Sequence, residues 1–491
     1  MQILMAASEV VPVAKTGGLA DVVAGLSKAL AERGHDVTIV MPHYPGPAES
    51  CGLEFVETGL TINCEVGGTP MFASLRETSL PAGTDTSAAV RLVTVDHREM
   101  FDREGLYGDA GGAYRDNCRR WCFFSRACVA AVHALQLDPD VVHVHDWQTG
   151  LIPALIQIEE RPAGRLRAAP VLTIHNLAFQ GTFDSWHMRE TGLDWSHFIF
   201  TELEFYGDLS LLKAGIVFSE QVTTVSPTYA EEIRTPAFGC GLQEVLRHKG
   251  DALSGILNGV DTDDWDPSTD PHVAANYTVE TVADGKFANK AALQREFGLP
   301  LREDVPVFGM VSRMSDQKGF DILRQAADRL DGFDAQFVFL GTGDRGTEDF
   351  LRDWSVRRPH NVNAHIGFSE GLAHRIEAGA TAFLMPSAFE PCGLNQMYSQ
   401  IYGTPPVVNA VGGLADSVTD CTPETLEDGT ASGFVLPHYS AEGLVETVAR
   451  VCDWWHRPDD VHRLRQLCMR LDRGWSASAA EYEAVYRRAV G

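Results

Sequence analysis

Residues 2–42, QILMAASEVVPVAKTGGLADVVAGLSKALAERGHDVTIVMP, decide how the rest of the chain is read. Gln2 to Ser8 is a short apolar run that ends in a loop. Leu19, Val22, Val23, Leu26 and Leu30 then fall at helical spacing, which predicts strand, loop and helix. Arg33 places a cation in the last turn and Gly34 supplies a stop, after which HDVTIVMP is a second strand. The unit is βαβ.

The same pattern continues through DVVHVHD (140–146), PVLTIHN (170–176) and QVTTVSP (221–227), β-rich runs separated by helical stretches, as a parallel sheet requires. It restarts at VPVFGMVSR (305–313) and runs on through AQFVFLG, TAFLMPS, PPVVNAVGG and GFVLP. Between the halves, GILNGVDTDDWDPSTDP (255–271) is rich in Asp, Asn, Gly and Pro and reads as turns and a hinge. The expected architecture is α/β, with two Rossmann-like domains facing across a deep cleft at the carboxyl ends of their strands. The expected bounds are 1–254 and 255–470, with a C-terminal helix, 471–491, crossing back to the first domain.

A chain of 491 residues is too long for one hydrophobic core. Its formal charge of −27 argues against a nucleic-acid or anionic-membrane surface, which needs a net basic face. Small anions are a separate matter, because screening over roughly 8 Å hides distant carboxylates from local Lys and Arg. The ten cysteines include no CxxC, and Cys118 with Cys122 lacks further ligands in sequence, so reduced thiols are expected. The amino terminus shows no basic region followed by a long apolar run, and nowhere are there about 20 consecutive apolar residues. A cytoplasmic enzyme is the expected class.

Six segments carry chemistry. GGLAD occurs twice, at 17–21 and 412–416, each time where a strand's exit loop enters a helix. Only the first copy has Lys15 and Thr16 before it, which points to anion binding there and to shape or hydroxyl contacts at the other. SRMSDQKG (312–319) sets Arg313 and Lys318 just ahead of a helix whose Phe320, Leu323, Ala327 and Leu330 share one face. Arg can bridge two phosphate oxygens, and Lys offers a point charge. FEPCGLNQMYSQIYG (389–403) puts Glu390 at the mouth of another strand-to-helix turn, beside the amides of Gly393, Leu394 and Asn395. A carboxylate beside an anion-binding turn makes sense if the ligand joins a diphosphate to a carbon that becomes positive, as in glycosyl transfer.

VVHVHDWQTG places His143 and His145 on one side of a strand with Asp146 at its exit, and TIHNLAFQG puts His175 and Asn176 at another exit. His-x-His can ligate zinc, but no third and fourth ligand is declared, so no metal is assigned. His143 reads as a core histidine, and Asp146 and His175 as hydroxyl-binding groups. GTGDRG (341–346) matches a dinucleotide fingerprint but lacks the acid about 20 residues on. DTD (261–263) resembles a metal-binding Asp-x-Asp, yet sits in an Asp-rich turn where capping suffices.

Taken in order, KTGGLADVV, HVHDWQTG, TIHNLAFQG, SLLKAGIVFSEQVTTVSPTYAEEI, GILNGVD, SRMSDQKG, PSAFEPCGLNQMY and VGGLADSV resemble the glycogen and starch synthase family of retaining glycosyltransferases. The resemblance covers nearly the whole chain. It implies the GT-B fold, no cofactor, ADP-glucose as donor, and addition of glucose in α-1,4 linkage to the non-reducing end of a glucan such as glycogen. It implies that Lys15 and Gly18 face the donor and that Arg313 and Lys318 hold its diphosphate. Cys392, Gly393, Leu394 and Asn395 would line the substrate, with backbone contacts from Leu394 and Asn395. Glu390 would lie beside the transferred glucosyl, and Asp21, Asp146, His175 and Asn258 would position sugar hydroxyls or the reacting face. Phe368 stands where the family often has a tyrosine stacked on adenine, and Tyr398 where many retaining relatives carry a second Glu. The implied mechanism is front-face transfer with the departing phosphate as the only base.

Three other readings share some of these residues. They are a transferase using UDP-glucose or a non-glucan acceptor, a His-x-His metal-dependent hydrolase, and a non-catalytic glucan-binding protein.

Overall fold

The computed structural model describes residues 1–82, 88–109 and 111–491. Two compact units make up the chain: Met1–Gly259 together with Trp475–Gly491, and Val260–Gly474.

In the first unit the strand Gln2–Ala6 pairs in parallel with Asp36–Pro42 on one side and Val141–His145 on the other. Ile3 thereby lies beside both Val37 and Val141. Ala89–Asp96 adds to one flank, and Ala169–Ile174, Gln221–Thr224 and Leu253–Gly255 add to the other, all parallel. Numbered along the chain, these strands lie in the order 3-2-1-4-5-6-7. The direction of winding therefore reverses between Gln2–Ala6 and Val141–His145. Ile3, Leu4, Met5 and Ala6 are all buried, as strands covered on both faces must be.

The sequence reading passed over the outer edge of this sheet. Val56–Val66 and Thr69–Pro81 form an antiparallel hairpin that joins Ala89–Asp96, also antiparallel. Its residues alternate, with Ile62, Val66, Met71, Ala73 and Leu75 buried between exposed neighbours, the mark of a sheet covered on one face only. A search for continuous apolar runs does not see it.

In the second unit six parallel strands lie in the order 3-2-1-4-5-6 along the chain. They are Val307–Val311, Gln336–Gly341, Val362–Ile366, Ala382–Met385, Pro406–Val408 and Phe434–Val435. The reversal lies between Val307–Val311 and Ala382–Met385. The helix Phe320–Leu330 buries Phe320, Leu323, Ala327 and Leu330, the face its spacing predicts. Among the described residues no helix is long and apolar enough to cross a membrane.

The last helix of the second unit is Pro458–Met469; the chain then rejoins the first unit as Ser476–Val490. Trp475 lies over Gly25 so closely that an added Cβ would come within 2.0 Å of its Nε1, so only glycine fits in that turn of Gly18–Glu32. Arg33 Nε donates to Glu483 Oε1 at 2.7 Å, and His35 Nε2 lies 3.0 Å from the same oxygen. The Arg33 guanidinium holds the Glu483 carboxyl down at about 2. Tyr486 OH meets His143 Nδ1 at 2.9 Å.

Candidate active site

Ligands of doubly wound sheets bind at the carboxyl ends of the strands where the winding reverses. Lys15 and Asp146 in the first unit, and Arg313, Lys318 and Glu390 in the second, follow the strands that flank that point, whereas His175, Asn258 and Phe368 follow strands further out.

In the second unit the strand Val307–Val311 leads into the loop of Arg313 and Lys318, and Ala382–Met385 leads into the loop of Glu390. Lys318 Nζ donates to Glu390 Oε2 at 2.5 Å, and Ser387 Oγ donates to the same oxygen at 3.1 Å. Both partners are largely shielded, with side-chain exposures of 18% and 8%, so their attraction is poorly screened. Gly319 makes the approach of the two loops possible. Its φ is +88°, and a Cβ there would fall 2.2 Å from the carbonyl oxygen of Pro386. Ala388 N–H donates to Gln317 O at 2.9 Å and fixes the same juxtaposition. Arg313 is exposed and its guanidinium has no partner among the described residues.

The turn after Glu390 is built around backbone. Cys392 is buried, Gly393 has φ +73°, and Asn395 Nδ2 donates to Val311 O at 2.7 Å, tying the turn back to the neighbouring strand. The N–H groups of Gly393, Leu394 and Asn395 find no acceptor among the described residues. Here the second GGLAD has its explanation. Gly413 N–H donates to the carbonyls of Glu390 and Pro391, both at 3.1 Å, and a Cβ on Gly412 would lie 2.0 Å from Glu390 O. The pair of glycines lets this turn press against the Glu390 loop and hold it.

The first GGLAD does something else. It follows the first strand of its unit, whereas the second follows the fifth of its own, so the two are not equivalent positions. Residues 15–18 are exposed, and Gly17 precedes the helix Gly18–Glu32 with no side-chain cap on its amides. Lys15 Nζ is 2.8 Å from Asp21 Oδ1, a partly exposed pair. The loop is held from below by Glu9, which the sequence reading missed. Buried at the end of the first strand, Glu9 accepts from Thr16 N–H, from Thr16 Oγ1 at 2.7 Å and from Tyr107 OH, whose oxygen also lies 2.8 Å from Ser8 Oγ. The one signal in sequence was an acid directly at a strand exit.

At the fourth strand of the first unit Asp146 is buried with φ +56°, a left-handed conformation that Asp tolerates better than most residues. Its Oδ1 accepts from His175 N–H at 2.7 Å. His175 Nε2 is 3.0 Å from His145 Nδ1, and His145 Nε2 is buried without a partner. His143 is a core residue as expected, taken up by Tyr486 and by Thr173 Oγ1 at 2.6 Å. Burial pushes His143 and His175 down to about 3 and His145 well below its ordinary value, so all three are neutral imidazoles near pH 7. Asn258 is buried with its Oδ1 unpartnered, an acceptor left over for a ligand. Phe368 stands apart at the exit of the second unit's third strand, 88% exposed. Of the two decoys, DTD forms a turn in which Asp263 N–H donates to Asp261 Oδ1 at 3.1 Å, and in GTGDRG the Gly343 N–H is taken by Glu348 at 3.1 Å.

Burial drives the Asp146 carboxyl up to about 7, against the pull of the His175 and Asn176 N–H groups. An unfolded Asp ionises near 3.9, so between about pH 4 and 7 the native chain keeps a proton that the unfolded chain has released. This group's contribution to stability therefore falls with rising pH across that window and is level above it. Asp146→Asn keeps an acceptor for His175 N–H and removes the dependence. Thermal melts from pH 5 to 8 should show the variant losing less stability than the parent, while its activity drops.

The region 2–248 matches the family model for the starch synthase catalytic domain, and 294–464 that for glycosyl transferases group 1. The chain is 45% identical to the glycogen synthase of Anaeromyxobacter dehalogenans (strain 2CP-C), across 99% of both chains. It belongs to the glycogen and starch synthase family. Another member of the family, the glycogen synthase of Rhodopirellula baltica, is 41% identical across 100% of this chain and 98% of its own. The catalytic domain of starch synthase IV from Arabidopsis thaliana, solved bound to ADP and acarbose, superposes with a TM-score of 0.90 at 31% identity, covering 100% of this chain and 99% of that one. Sucrose-phosphate synthase from Thermosynechococcus elongatus shares the fold alone, with a TM-score of 0.59 at 16% identity, over 99% and 98% of the two chains. The family's GT-B fold, retaining glycosyl transfer and glycogen synthase function are therefore those of this chain.

Proposed function

We propose that the donor is ADP-glucose, that the acceptor is the non-reducing end of an α-1,4-glucan, and that the second unit's winding reversal binds the leaving diphosphate. The observation that carries this reading is the shielded Lys318–Glu390 pair, set between two loops that also offer Arg313 and three unbonded backbone N–H groups. Arg313, Lys318 and the amides of Gly393, Leu394 and Asn395 form a set of donors for the phosphate oxygens that gain charge when the glycosidic bond breaks. Glu390 lies next to them as the carboxylate that faces an anomeric carbon gaining positive charge. In the first unit Lys15 and Gly18 address the donor, with Asp21 beside Lys15. Asp146, His175 and Asn258 supply a carboxyl, a neutral imidazole and an orphan amide oxygen for sugar hydroxyls. With no second carboxylate at Tyr398, the departing phosphate is left to take the acceptor's proton on the same face. Catalysis needs no cofactor, and the expected compartment is the cytoplasm.

The match to an ADP-bound starch synthase supports ADP over UDP. ADP-glucose or UDP-glucose should be supplied with glycogen, and nucleoside diphosphate release and chain growth followed. A higher kcat/KM with ADP-glucose is expected; equal values or a preference for UDP-glucose would overturn the donor assignment. Phe368, exposed and without a ring partner among the described residues, is the stacking surface for the base. Base–aromatic stacking contributes about 1–3 kcal/mol. Phe368→Ala should raise the donor KM roughly 5- to 150-fold, with kcat little changed, since the contact is equal in ground and transition states.

A further inference from the structure

The second unit holds a cluster outside the residues assigned above to glycosyl transfer. Asp264, Glu370 and His374 each offer a ligand atom, all within 4.8 Å of one another. Glu370 opens the helix Glu370–Gly379, and His374 lies one turn on, so both project from the same face. Asp264 comes from the Asp-rich segment and precedes Trp265, whose indole stacks on His374 at 3.8 Å and on Tyr398 at 3.8 Å.

His374 is held as a ligand would be. Its side chain is 1% exposed, and Nδ1 lies 2.9 Å from Asp270 Oδ2. The same Asp270 accepts from Tyr402 OH at 2.5 Å and from His272 N–H at 2.7 Å, so the carboxylate is itself fixed. With Nδ1 committed, Nε2 is the donor atom that remains, and it forms no hydrogen bond among the described residues. A carboxylate behind a histidine, setting its tautomer and ring angle, is the outer-shell arrangement of metal-bound imidazoles. Glu370 is exposed and has no hydrogen-bond or ion-pair partner among the described residues.

We propose that Asp264, Glu370 and His374 bind one divalent transition-metal ion of the zinc class, with Asp270 as the residue that orients His374. One imidazole with two carboxylates suits zinc, whereas magnesium and calcium take oxygen ligands. Three protein ligands leave a position for water. Atoms within 4.8 Å of one another are near the roughly 3.4 Å separation of a tetrahedral site with bonds near 2.1 Å. Asp264 and Glu370 are exposed and would adjust around the buried imidazole on metal binding. The ion would clamp the Asp264–Trp265 segment to the first turn of the helix, two residues from Phe368.

The test uses the whole chain, stripped with a chelator and desalted. Titration calorimetry with zinc should give one site of micromolar affinity or better, and none with magnesium. Cobalt in place of zinc should give d–d absorption without a thiolate charge-transfer band, which separates this site from the ten free cysteines. Asp264→Asn and Glu370→Gln change exposed side chains and should leave the circular dichroism intact while weakening zinc about tenfold or more each. Asp270→Asn, which touches no metal, should weaken it about 10- to 100-fold. An absence of zinc uptake, a thiolate band, or undiminished binding in the Asp264→Asn/Glu370→Gln double variant would overturn the proposal.

Discussion

Lys318→Ala is expected to lower kcat by about 10²–10³, about 3–4 kcal/mol, with a smaller change in donor KM. The ammonium lies 2.5 Å from Glu390. When a diphosphate departs, negative charge grows on its oxygens, so the ammonium's interaction strengthens on the way to the transition state, and that difference is what accelerates the step. The variant also leaves Glu390 without its cation in a shielded site, though the Ser387 hydroxyl still donates to it. Circular dichroism and thermal melts should show a folded second unit, because the core around Phe308, Phe337, Phe339 and Trp354 is untouched. Lys318→Arg restores the charge and should recover part of kcat. Full turnover in Lys318→Ala would remove the residue from the mechanism.

Glu390→Gln should cost about as much, 10²–10³ in kcat, for the opposite electrostatic reason. Glutamine keeps the volume and an acceptor for Ser387, but it cannot balance positive charge at the anomeric carbon. A rival account, in which Glu390 only holds Lys318 in place, is separated by the double variant Lys318→Ala/Glu390→Gln. If Glu390 works solely through Lys318, the double variant matches the single; if each acts on the substrate, the losses compound. Measured kcat with the donor saturating decides between them.

What the sequence disclosed and what it hid divide along a physical line. Strands buried on both faces, such as Gln2–Ala6 and Val307–Val311, are continuous apolar runs and can be read directly. The hairpin Val56–Pro81 alternates and was passed over. The loops bearing Lys318 and Glu390 were legible as strand exits, but nothing in linear order says that strands one and four are neighbours. That adjacency is a property of the winding, and it makes an ion pair from residues 72 apart. The repeated GGLAD looked like one device used twice; its second copy is a brace, visible only once Gly412 and Gly413 are seen against the backbone of Glu390 and Cys392. Glu9 escaped because its partners, Thr16 and Tyr107, are far apart in sequence from each other.

The return of the final segment to the first unit has a consequence for how the chain is made. The first unit is discontinuous: Trp475, Glu483 and Tyr486 complete it, and Val260–Gly474 is synthesised in between. At about 5–20 residues per second the ribosome needs roughly 10–40 s to cross that insert. Throughout that interval the first unit lacks the Trp475 that covers Gly25 and the Tyr486 hydroxyl that bonds His143 Nδ1. A premature stop after Gly474 would release a chain whose missing contacts lie at Gly25 and His143, hundreds of residues upstream of the break.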